Sequence, residues 1–376
     1  MIFFVVFSFI TLFLYSVIIL NYVFLWHKRK SYDINLTDEL PVTVIVIARN
    51  EEKNIGNFIL SVFNQDYVRS QIQLIVVDDN SSDNTSFVIS NFMHSHPDFD
   101  IEQIRLDKSK GEFSKKTGIS KAILSAKNEF IVCSDADCIH SKKWLGAMVS
   151  ALNNAGAKYV TGPVIYRGAF SFMEDLLNIE LSSLIGITAG AIYRNTPIMS
   201  NGANMAFCKS AFLEVDGYKG NEHILSGDDL FLLLKMNQAF PNAIDFVKSN
   251  EALVFTQMPK TIMEFIHQRV RWASKTKRVR NKFILWNGFL ILATNMVFLI
   301  SLILYATHQL NGLFALIIIF PKLIIDIALS SSVLAFFKMR NKIILIPILA
   351  LIYPVYLLVI GMLSIRGKFL WKERIG

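Results

Sequence analysis

Apolar residues are unevenly distributed along the chain, and their distribution predicts two kinds of structure. Residues 1–26 and 284–365 are predominantly apolar, whereas the stretch between them, roughly 40–280, mixes apolar and polar positions as a globular domain does. About 20 apolar residues are enough for a helix to cross a bilayer. The pattern therefore predicts one globular domain between two membrane regions.

Within the globular stretch, short apolar runs alternate with segments of helical periodicity. The runs are rich in β-branched residues, which indicates buried strands. The predicted strands are 42–48 (VTVIVIA), the first half of 73–85 (QLIVVDDNSSDNT), 101–106 and 129–138 (EFIVCSDADC). The predicted helices between them lie in 50–65, 84–94 and 115–128. Such alternation is typical of a parallel sheet with crossover helices, so we expect an α/β fold.

The N-terminal apolar run is followed at once by four basic residues, His27, Lys28, Arg29 and Lys30. A signal peptide carries its charge before the apolar core and ends in a small-residue cleavage site, and neither feature is found here. We therefore expect an uncleaved anchor over 1–26, with its basic flank in the cytoplasm.

Three apolar stretches follow the globular domain, at 284–306, 313–337 and 343–365. If all three cross the membrane once, the basic tail 366–376 lies outside, against its positive charge. Pro347 and Pro354 interrupt the last stretch, which allows it to dip into the membrane and return. The pattern leaves both alternatives open.

The composition agrees with a membrane protein and excludes several other classes. The 376 residues are 53% hydrophobic and 18% charged, which is too apolar for an ordinary soluble enzyme. The net charge of +8 suits an anionic membrane surface or a phosphate ligand and requires no nucleic acid. The three cysteines (Cys133, Cys138 and Cys208) form neither a disulfide framework nor a paired zinc motif, so we expect reduced thiols.

Acidic clusters follow two of the predicted strands, where parallel sheets collect their ligands. Asp78 and Asp79 end the second strand, and Asp135 and Asp137 flank Ala136 at the end of the fourth. On extended backbone, residues two apart point the same way, so both carboxylates of the Asp-Ala-Asp triplet are predicted to face one ligand. Mg²⁺ and Mn²⁺ prefer such oxygen ligands. The alternative is an ordinary acidic surface loop.

Two further acidic segments have a structural alternative as well. Asp83 is predicted to be the N-cap of a helix that begins near Asn84. Asp228 and Asp229 follow Gly227 at the start of an apolar helix, where negative charge also complements the helix dipole. The small residues of 200–207 (SNGANMAF) allow backbone to approach a ligand closely.

The segment QRVRW combines residues that suit a glycosyl phosphate. Arg271 is able to clamp a phosphate, and Trp272 offers a flat face for a sugar ring. The alternative is a basic flank that binds anionic lipid, which suits the basic residues over 275–282 but does not account for Gln268 and Trp272.

The order of these motifs is more specific than any one of them. Asn50-Glu51, DDNSSDNT, KKTGI, DAD, GDD and QRVRW occur in this order before the C-terminal apolar stretches. This order resembles the family 2 glycosyltransferases, especially the membrane-embedded branch with cellulose, hyaluronan and poly-N-acetylglucosamine synthases and ceramide glucosyltransferase. The resemblance covers roughly 40–285. It implies a GT-A fold, an α/β domain with a mostly parallel central sheet, with transmembrane helices at both ends.

The resemblance also implies a role for each matching residue. The implied residues for the nucleotide-sugar donor are Glu51, Asp78, Asp79 and Lys115. The implied ligands of Mg²⁺ or Mn²⁺ at the donor diphosphate are Asp135 and Asp137. The implied general base is Asp229, with Asp228 as the alternative. The residues implied to close over the diphosphate and the acceptor are Gln268, Arg271 and Trp272.

The activity implied is an inverting sugar transfer from a nucleotide-diphosphate sugar, with UDP as the expected nucleotide, to a lipid or polysaccharide hydroxyl at the membrane. The protein is expected in the cell inner or plasma membrane, with its catalytic domain in the cytoplasm. The expected domains are an anchor (1–26), a GT-A domain (27–283), a C-terminal membrane region (284–365) and a basic tail (366–376).

Two features depart from the family pattern, and two other functions compete with it. Gly118 stands where an alanine or similar residue is usual in the lysine motif, and the few membrane segments argue against processive synthesis and secretion through a channel. An inactive membrane scaffold would tolerate a broken acidic set, whereas every expected acidic position is filled. A small transporter would carry ionisable residues in several membrane segments. Only Lys322 and Asp326 qualify, and they share one helix face, where they can neutralise each other.

Overall fold

The computed structural model describes residues 2–32, 40–154, 156–168, 171–222, 224, 226–276, 279, 281–366, 370–371 and 374–375. The chain forms two compact units. We call them the sheet unit (residues 30–168 and 195–258) and the helical unit (residues 1–29, 169–194 and 259–376). Helices and strands are numbered in chain order along the whole chain.

The described part of the sheet unit contains all the predicted strands and helices, with bounds shifted by a few residues. Its strands are β1 (Val42–Ala48), β2 (Ile72–Asp78), β3 (Ile101–Arg105), β4 (Phe130–Asp135), β5 (Ile139–His140), β6 (Tyr159–Thr161), β7 (Val164–Arg167), β8 (Met205–Cys208), β9 (Ile244–Phe246) and β10 (Val254–Gln257). Its helices are α2 (Ile55–Phe63), α3 (Thr85–Ser95), α4 (Lys115–Ser125), α5 (Trp144–Asn154), α7 (Lys209–Glu214) and α8 (Asp228–Ala239).

Seven strands form one sheet in the order β3-β2-β1-β4-β8-β6-β9. Strands β1 to β4 are parallel, as are β6 and β9, whereas β8 runs antiparallel to both β4 and β6. The central sheet is therefore mostly parallel, as predicted. Strands β5, β10 and β7 form a second, smaller sheet.

The central strands are buried on both faces, which explains their continuous apolar sequences. In β1, Val44 and Val46 share a core with Phe58 and other residues of α2. Side chains alternate along a strand, and Ile47 faces the other way, toward α4. The predicted periodicity thus reflects helices on both faces of the sheet.

The register of β1 places two predicted site residues at one edge of the sheet. Ala48 pairs with Asp78 on β2, and its neighbour Ile47 pairs with Asp135 on β4. The chain adds β2 and β3 on one side of β1 and then returns to add β4 on the other side, which makes a topological switch point. Ligands of open α/β sheets bind at the carboxyl ends of strands at such a point. We call this edge, with the carboxylates of Asp78 and Asp135, the acidic edge.

The helical unit contains long helices and two short strands. They are α1 (Ile2–Lys28), α6 (Phe172–Tyr193), α9 (Ile262–Thr276), α10 (Lys282–Ala306), α11 (Gly312–Phe336), α12 (Ile346–Arg366), β11 (Leu370–Trp371) and β12 (Arg374–Ile375). Among the described residues, five helical segments are long and apolar enough to cross a membrane: α1, α6, α10, α11 and 340–365. The apolar pattern predicts four of these and misses α6, because acidic residues interrupt it.

Helices α1 and α11 pack side by side and run in the same direction. Tyr15 of α1 donates a hydrogen bond to Asp326 Oδ1 at 2.7 Å. Further along both helices, the rings of Trp26 and Phe336 lie 5.5 Å apart. Asp326 Oδ2 also lies 2.6 Å from the buried Lys322 Nζ. The pair on one helix face therefore links two helices, which favours a structural role over an ion path.

Helix α6 lies across the end of this bundle at which α1 and α11 both finish. Near its start, Asp175 lies 2.7 Å from Lys342, which follows α11. In its last turn, the ring of Tyr193 lies 5.2 Å from the guanidinium of Arg29, which follows α1. Because α1 and α11 run in the same direction, both contacts are at the same end of the bundle.

Both ends of α12 lie toward that same end. Ile346, its first residue, packs near Leu334 in the last turns of α11. Ile360, near its end, packs against Val270 of α9. Arg269, next to Val270, lies 2.5 Å from Glu180 of α6, and the neighbouring Ile179 packs with Leu334. The contact between α12 and α9 is therefore also near the end of α11.

Candidate active site

A lysine joins two of the acidic motifs at the acidic edge. Lys115 Nζ lies 2.6 Å from Asp135 Oδ1 and 3.0 Å from Asp228 Oδ2. It also donates a hydrogen bond to the carbonyl oxygen of Gly202 at 3.2 Å. Burial alone would lower the pKa of Lys115, but the two carboxylates outweigh burial and hold its pKa well above the usual value. The ammonium is therefore charged and bridges residues 93 positions apart in the chain.

The start of α4 sets the position of this lysine. Ser114 is the N-cap of α4, and its hydroxyl accepts a hydrogen bond from the backbone N–H of Thr117. Lys115 is the first residue of the helix, so it lies beside the carboxyl ends of β1 and β4. Gly118 lies against the strands, because a Cβ there would come within 2.8 Å of Ile47 Cδ1. The departure from alanine at this position thus accompanies a close approach of α4 to the sheet.

The Asp-Ala-Asp triplet does not have the predicted backbone geometry. Strand β4 ends at Asp135, and Ala136 and Asp137 form a turn in which the Cys138 N–H donates to the Asp135 carbonyl at 3.0 Å. The alternation argument for this triplet is therefore wrong, because it applies only to extended backbone. Both carboxylates are nevertheless half-exposed, while Ala136 between them is buried.

The donor set of this triplet fits a divalent cation that takes most ligands from elsewhere. Within the described residues, no group of three or more His, Cys, Asp or Glu side chains could hold a metal ion by itself. Mg²⁺ and Mn²⁺ at phosphate sites need only one or two carboxylates, because water and substrate phosphates complete the shell. Asp135 and Asp137 offer two accessible carboxylates of this kind.

The two aspartates at the start of α8 have different surroundings. Gly227 precedes the helix in the left-handed conformation, with φ at 84°, and Asp228 and Asp229 form its first turn. Asp228 contacts Lys115, whereas Asp229 Oδ1 accepts a hydrogen bond from the Leu230 N–H at 2.8 Å. The assignment of Asp229 as the general base, with Asp228 as the alternative, stays a prediction.

The acidic residues after β2 are held by local hydrogen bonds. Asp78 Oδ1 accepts from the Ser81 N–H at 2.9 Å, and Asp79 is fully buried. Glu51 lies in the loop after β1 and accepts from Asn54 Nδ2 at 2.7 Å. All three are buried beside the carboxyl ends of β1 and β2, where the sequence predicted a donor site. Their contact with a nucleotide stays a prediction.

The predicted N-cap after β2 is displaced by one residue. Helix α3 begins at Thr85, so the N-cap position belongs to Asn84, whose side chain makes no capping hydrogen bond. The carboxylate of Asp83 still accepts from the Thr85 N–H at 3.0 Å. The prediction was wrong about which residue occupies the N-cap position. It was right that the Asp83 carboxylate accepts a hydrogen bond from a backbone N–H in the first turn of the helix.

A buried network supports the acidic edge, and the sequence reasoning missed it. Ser134, which precedes Asp135, donates to the Ala203 carbonyl at 2.7 Å, and its hydroxyl oxygen lies 2.9 Å from His140 Nε2. The His140 ring stacks on Trp144 at 3.8 Å, and burial lowers the pKa of His140 to about 3. Trp144 in turn donates to Asn204 at 2.9 Å. An isolated histidine after an acidic triplet was the available signal.

The residues of the QRVRW segment lie in α9 of the helical unit. Within that unit, Arg269 lies 2.5 Å from Glu180 of α6, and its guanidinium lies 4.3 Å from the Trp272 ring. The closing of Gln268, Arg271 and Trp272 over the donor stays a prediction. Of the basic continuation, Lys277, Arg278 and Arg280 lie outside the described residues.

The mostly parallel sheet with acidic residues at its switch point agrees with the GT-A fold that the resemblance implies. Residues 43–214 match the model of glycosyl transferase family 2, and residues 130–363, more than half of the chain, match that of glycosyl transferase family group 2. The chain therefore belongs to glycosyltransferase family 2, and the resemblance noted in its motifs is confirmed.

Two curated glycosyltransferases are similar to this chain in sequence. Over 239 residues the chain is 29% identical to poly-beta-1,6-N-acetyl-D-glucosamine synthase of Staphylococcus epidermidis. The matched region covers 62% of this chain and 53% of that protein. Over 250 residues it is 26% identical to the probable glycosyltransferase YdaM of Bacillus subtilis, with 65% and 58% covered. The chain thus spans about half the length of the curated relatives it matches.

A solved structure extends the similarity to nearly the whole chain. It is the mannosyltransferase PcManGT from Pyrobaculum calidifontis in complex with GDP-Man and Mn²⁺. The TM-score is 0.59 at 17% identity, and the match covers 93% of this chain and 96% of that one. At this identity the comparison establishes the fold.

Proposed function

We propose that this chain transfers a sugar from a nucleotide-diphosphate donor to a hydroxyl of a lipid or polysaccharide at the membrane. The observation that carries the proposal is the convergence of carboxylates from β4 and α8 on Lys115 at the acidic edge. This edge is the switch point at which open α/β sheets bind their ligands. The family membership fixes the reaction class, and the convergence supplies charged groups for a diphosphate leaving group.

The donor would bind along the carboxyl ends of β1, β2 and β4. Glu51, Asp78 and Asp79 would contact the base and ribose, since carboxylates accept hydrogen bonds from both. Mg²⁺ or Mn²⁺ held by Asp135 and Asp137 would neutralise charge on the departing nucleoside diphosphate. PcManGT was solved with GDP-Man and Mn²⁺, which supports testing both nucleotide types and this metal. UDP-sugars are the first donors to test.

The transfer itself would be a single displacement. Asp229 would take the proton of the acceptor hydroxyl while the hydroxyl oxygen forms a bond to the anomeric carbon. The bond from that carbon to the diphosphate oxygen breaks in the same step, so the configuration inverts. Arg271 and Gln268 would contact the diphosphate, and Trp272 would stack on the acceptor. The synthase from Staphylococcus epidermidis is named for a polysaccharide product, which makes a glycan one of two acceptor classes to test.

The activity is tested by nucleotide release from purified full-length protein in detergent. A panel of UDP- and GDP-sugars is offered with Mg²⁺ or Mn²⁺, and then with excess chelator. We expect at least one donor to turn over, and we expect chelation and Asp137→Ala each to abolish turnover. Undiminished turnover under chelation would remove the metal from the mechanism. No turnover with any donor would contradict the activity.

Ile346 at the start of α12 and Ile360 near its end both pack near the end of α11. This packing supports a topology in which α12 does not cross the membrane. If α1 ends in the cytoplasm, as its basic flank indicates, then α11 ends there too, because the two helices run in the same direction. Both ends of α12 would then be cytoplasmic, and the basic tail 366–376 would obey the positive-inside rule. The acidic edge would face donors made in the cytoplasm.

The topology is tested with a reporter fused to the C-terminus of the full-length chain. Green fluorescent protein is expected to fluoresce there, and alkaline phosphatase is expected to be inactive. A reporter joined to residue 309, in the loop between α10 and α11, is the matched control and should give the opposite result. An active phosphatase at the C-terminus would show that α12 crosses.

A further inference from the structure

The ammonium group of Lys115 contacts three oxygen atoms. It donates hydrogen bonds to the Asp135 carboxylate at 2.6 Å and the Gly202 carbonyl at 3.2 Å, and it forms an ion pair with the Asp228 carboxylate at 3.0 Å. Only 15% of the lysine side chain is exposed, compared with 43% of the Asp135 side chain. The lysine therefore approaches Asp135 from the protein side, and the other side of that carboxylate stays open.

The backbone around the lysine is shaped for this contact. A Cβ added at Gly202 would come within 2.9 Å of both Lys115 Nζ and Asp228 Oδ2. Any side chain at 202 would therefore push the ammonium away from one of its carboxylates. The contact depends on a glycine in the loop before β8 as well as on the acidic motifs themselves.

Asp135 thus has two competing demands on its charge. It pairs with Lys115 in the protein alone, and in the proposed function, on which this inference rests, it helps to hold a divalent cation. An ammonium and a dication that share one carboxylate repel each other strongly, because Coulomb energies are large where water is partly excluded. Full contact of Asp135 with both the ammonium and the dication is therefore unfavourable. The contact with Lys115 weakens when the dication binds, and binding of the dication is weaker while the contact with Lys115 is intact.

We propose that Lys115 is a positioning residue that serves as the resident counter-ion of the donor site and opposes cation binding until the donor is present. In the protein alone it neutralises Asp135 and Asp228 and keeps the two motifs together. When a cation and an anionic diphosphate arrive together, the donor's negative charge offsets the repulsion and gives the ammonium a new partner. The lysine thereby couples cation binding to donor binding.

The inference predicts that removing the charge at 115 tightens cation binding by the protein alone. Mn²⁺ binding is measured without any donor, by the electron paramagnetic resonance signal of free Mn²⁺, on full-length protein in detergent. We expect Lys115→Met and Lys115→Gln to bind Mn²⁺ at least ~10-fold more tightly than the wild type, since an opposing charge at contact distance shifts ionic equilibria by one to three powers of ten. Lys115→Gln retains hydrogen-bond donors if the methionine variant folds poorly.

The neighbouring lysine gives a matched control. Lys116 is buried, and its ammonium donates to the Asn221 carbonyl at 2.8 Å and lies 4.6 Å from the Phe231 ring. Lys116→Met should leave Mn²⁺ affinity within about twofold of the wild type, whatever it does to stability. Adding Asp135→Asn to Lys115→Gln should cancel the gain, which would place the competition at that carboxylate.

The possible outcomes separate this inference from the proposed function. Equal or weaker Mn²⁺ binding by both Lys115 variants would overturn it, and so would an absence of Mn²⁺ binding by every variant. A gain of the same size in Lys116→Met would overturn it too, because the effect would then not depend on contact with Asp135. A lack of donor turnover by the wild type would contradict the proposed function and leave the Mn²⁺ comparison intact.

Discussion

Lys115 in the sheet unit and Arg269 in the helical unit are both basic residues paired with carboxylates, but their surroundings differ. Lys115 contacts Asp135, whose side chain is 43% exposed. Arg269 contacts Glu180, and only 3% and 6% of these two side chains are exposed. The same chemical pairing therefore forms an open site in one unit and a closed contact in the other. An open pair is able to exchange partners, whereas a closed pair holds its elements in place.

The closed pair connects three helices of the helical unit. Glu180 belongs to α6, and its second carboxylate oxygen accepts a hydrogen bond from Tyr356 of α12 at 3.0 Å. Arg269 of α9 lies 4.9 Å from the Phe265 ring and 4.3 Å from the Trp272 ring. Such a pair stabilises the fold little in net terms, but the loss of one partner leaves a buried charge without compensation.

Glu180→Gln should therefore produce the largest loss of stability. We expect it to lower the free energy of unfolding of the helical unit by ~3–5 kcal/mol, the range for breaking a buried ion pair. Thermal or denaturant unfolding in detergent would measure this. The double variant Glu180→Met with Arg269→Met should regain most of the loss, because no charge then remains. A single variant within about 1 kcal/mol of the wild type would show that water reaches the pair.

Asp229→Asn tests the proposed reaction at the open site of the sheet unit. The substitution keeps the shape of the side chain and removes its ability to accept a proton. We expect turnover to fall by ~10²-fold or more, as for the loss of a general base, with donor affinity and unfolding temperature nearly unchanged. Nucleotide release and a donor-binding assay on the same preparation would measure both.

Asp228→Asn is the matched control for that variant. It weakens the contact with Lys115 at 3.0 Å, so it should alter donor and Mn²⁺ binding as well as turnover. If Asp229→Asn instead loses donor binding and unfolds early, Asp229 is a structural residue of the first turn of α8. The role of base would then pass to Asp228.

The sequence predicted the residues of the acidic edge because strand ends are local features. A β-branched run that stops at Asp78 or Asp135 locates the carboxyl end of a strand without knowledge of its neighbours. The parallel order then follows from the alternation with helices. The same local reasoning failed at Asp137, because the residue at which a strand gives way to a turn depends on backbone dihedrals that composition does not reveal.

The remaining features depend on contacts between distant segments, and no local pattern reports them. Lys115 meets Asp228 only because α8 begins beside the start of α4. The pairing of Glu180 with Arg269 requires α6 and α9 to pack, and acidic residues within α6 concealed its apolar character. The path of α12 likewise depends on what its ends contact. Hydropathy measures length and polarity, and these are equal for a crossing helix and a returning one.

Trp272→Ala tests whether the closed pair serves the reaction indirectly, by holding an aromatic ring in place. Stacking of the Arg269 guanidinium fixes one contact of the ring. If the ring also stacks on the acceptor, we expect KM for the acceptor to rise by ~5- to 10-fold, with KM for the donor unchanged. Trp286→Ala, an exposed tryptophan of α10, is the control and should change neither constant. Equal acceptor KM in Trp272→Ala and the wild type would contradict the stacking role.

Gly118→Ala should have the smallest effect on stability. It tests how closely the open site depends on the packing of α4 against the sheet. The added Cβ would lie 2.8 Å from Ile47 Cδ1 and 3.3 Å from Val77 Cγ1, and overpacking of this kind typically costs ~1–3 kcal/mol. Alanine also gains ~1 kcal/mol over glycine inside a helix, so we expect a net loss of stability of about 1 kcal/mol, measured by unfolding. Ile47→Val removes the nearer contact, and the double variant should therefore be more stable than the sum of the two single changes predicts.

Simple additivity of the two stability changes would mean that α4 shifts to make room for the added Cβ. In that case Lys115, at the start of the same helix, should lose part of its contact with Asp135, and Mn²⁺ affinity should rise in Gly118→Ala as it does when the lysine charge is removed.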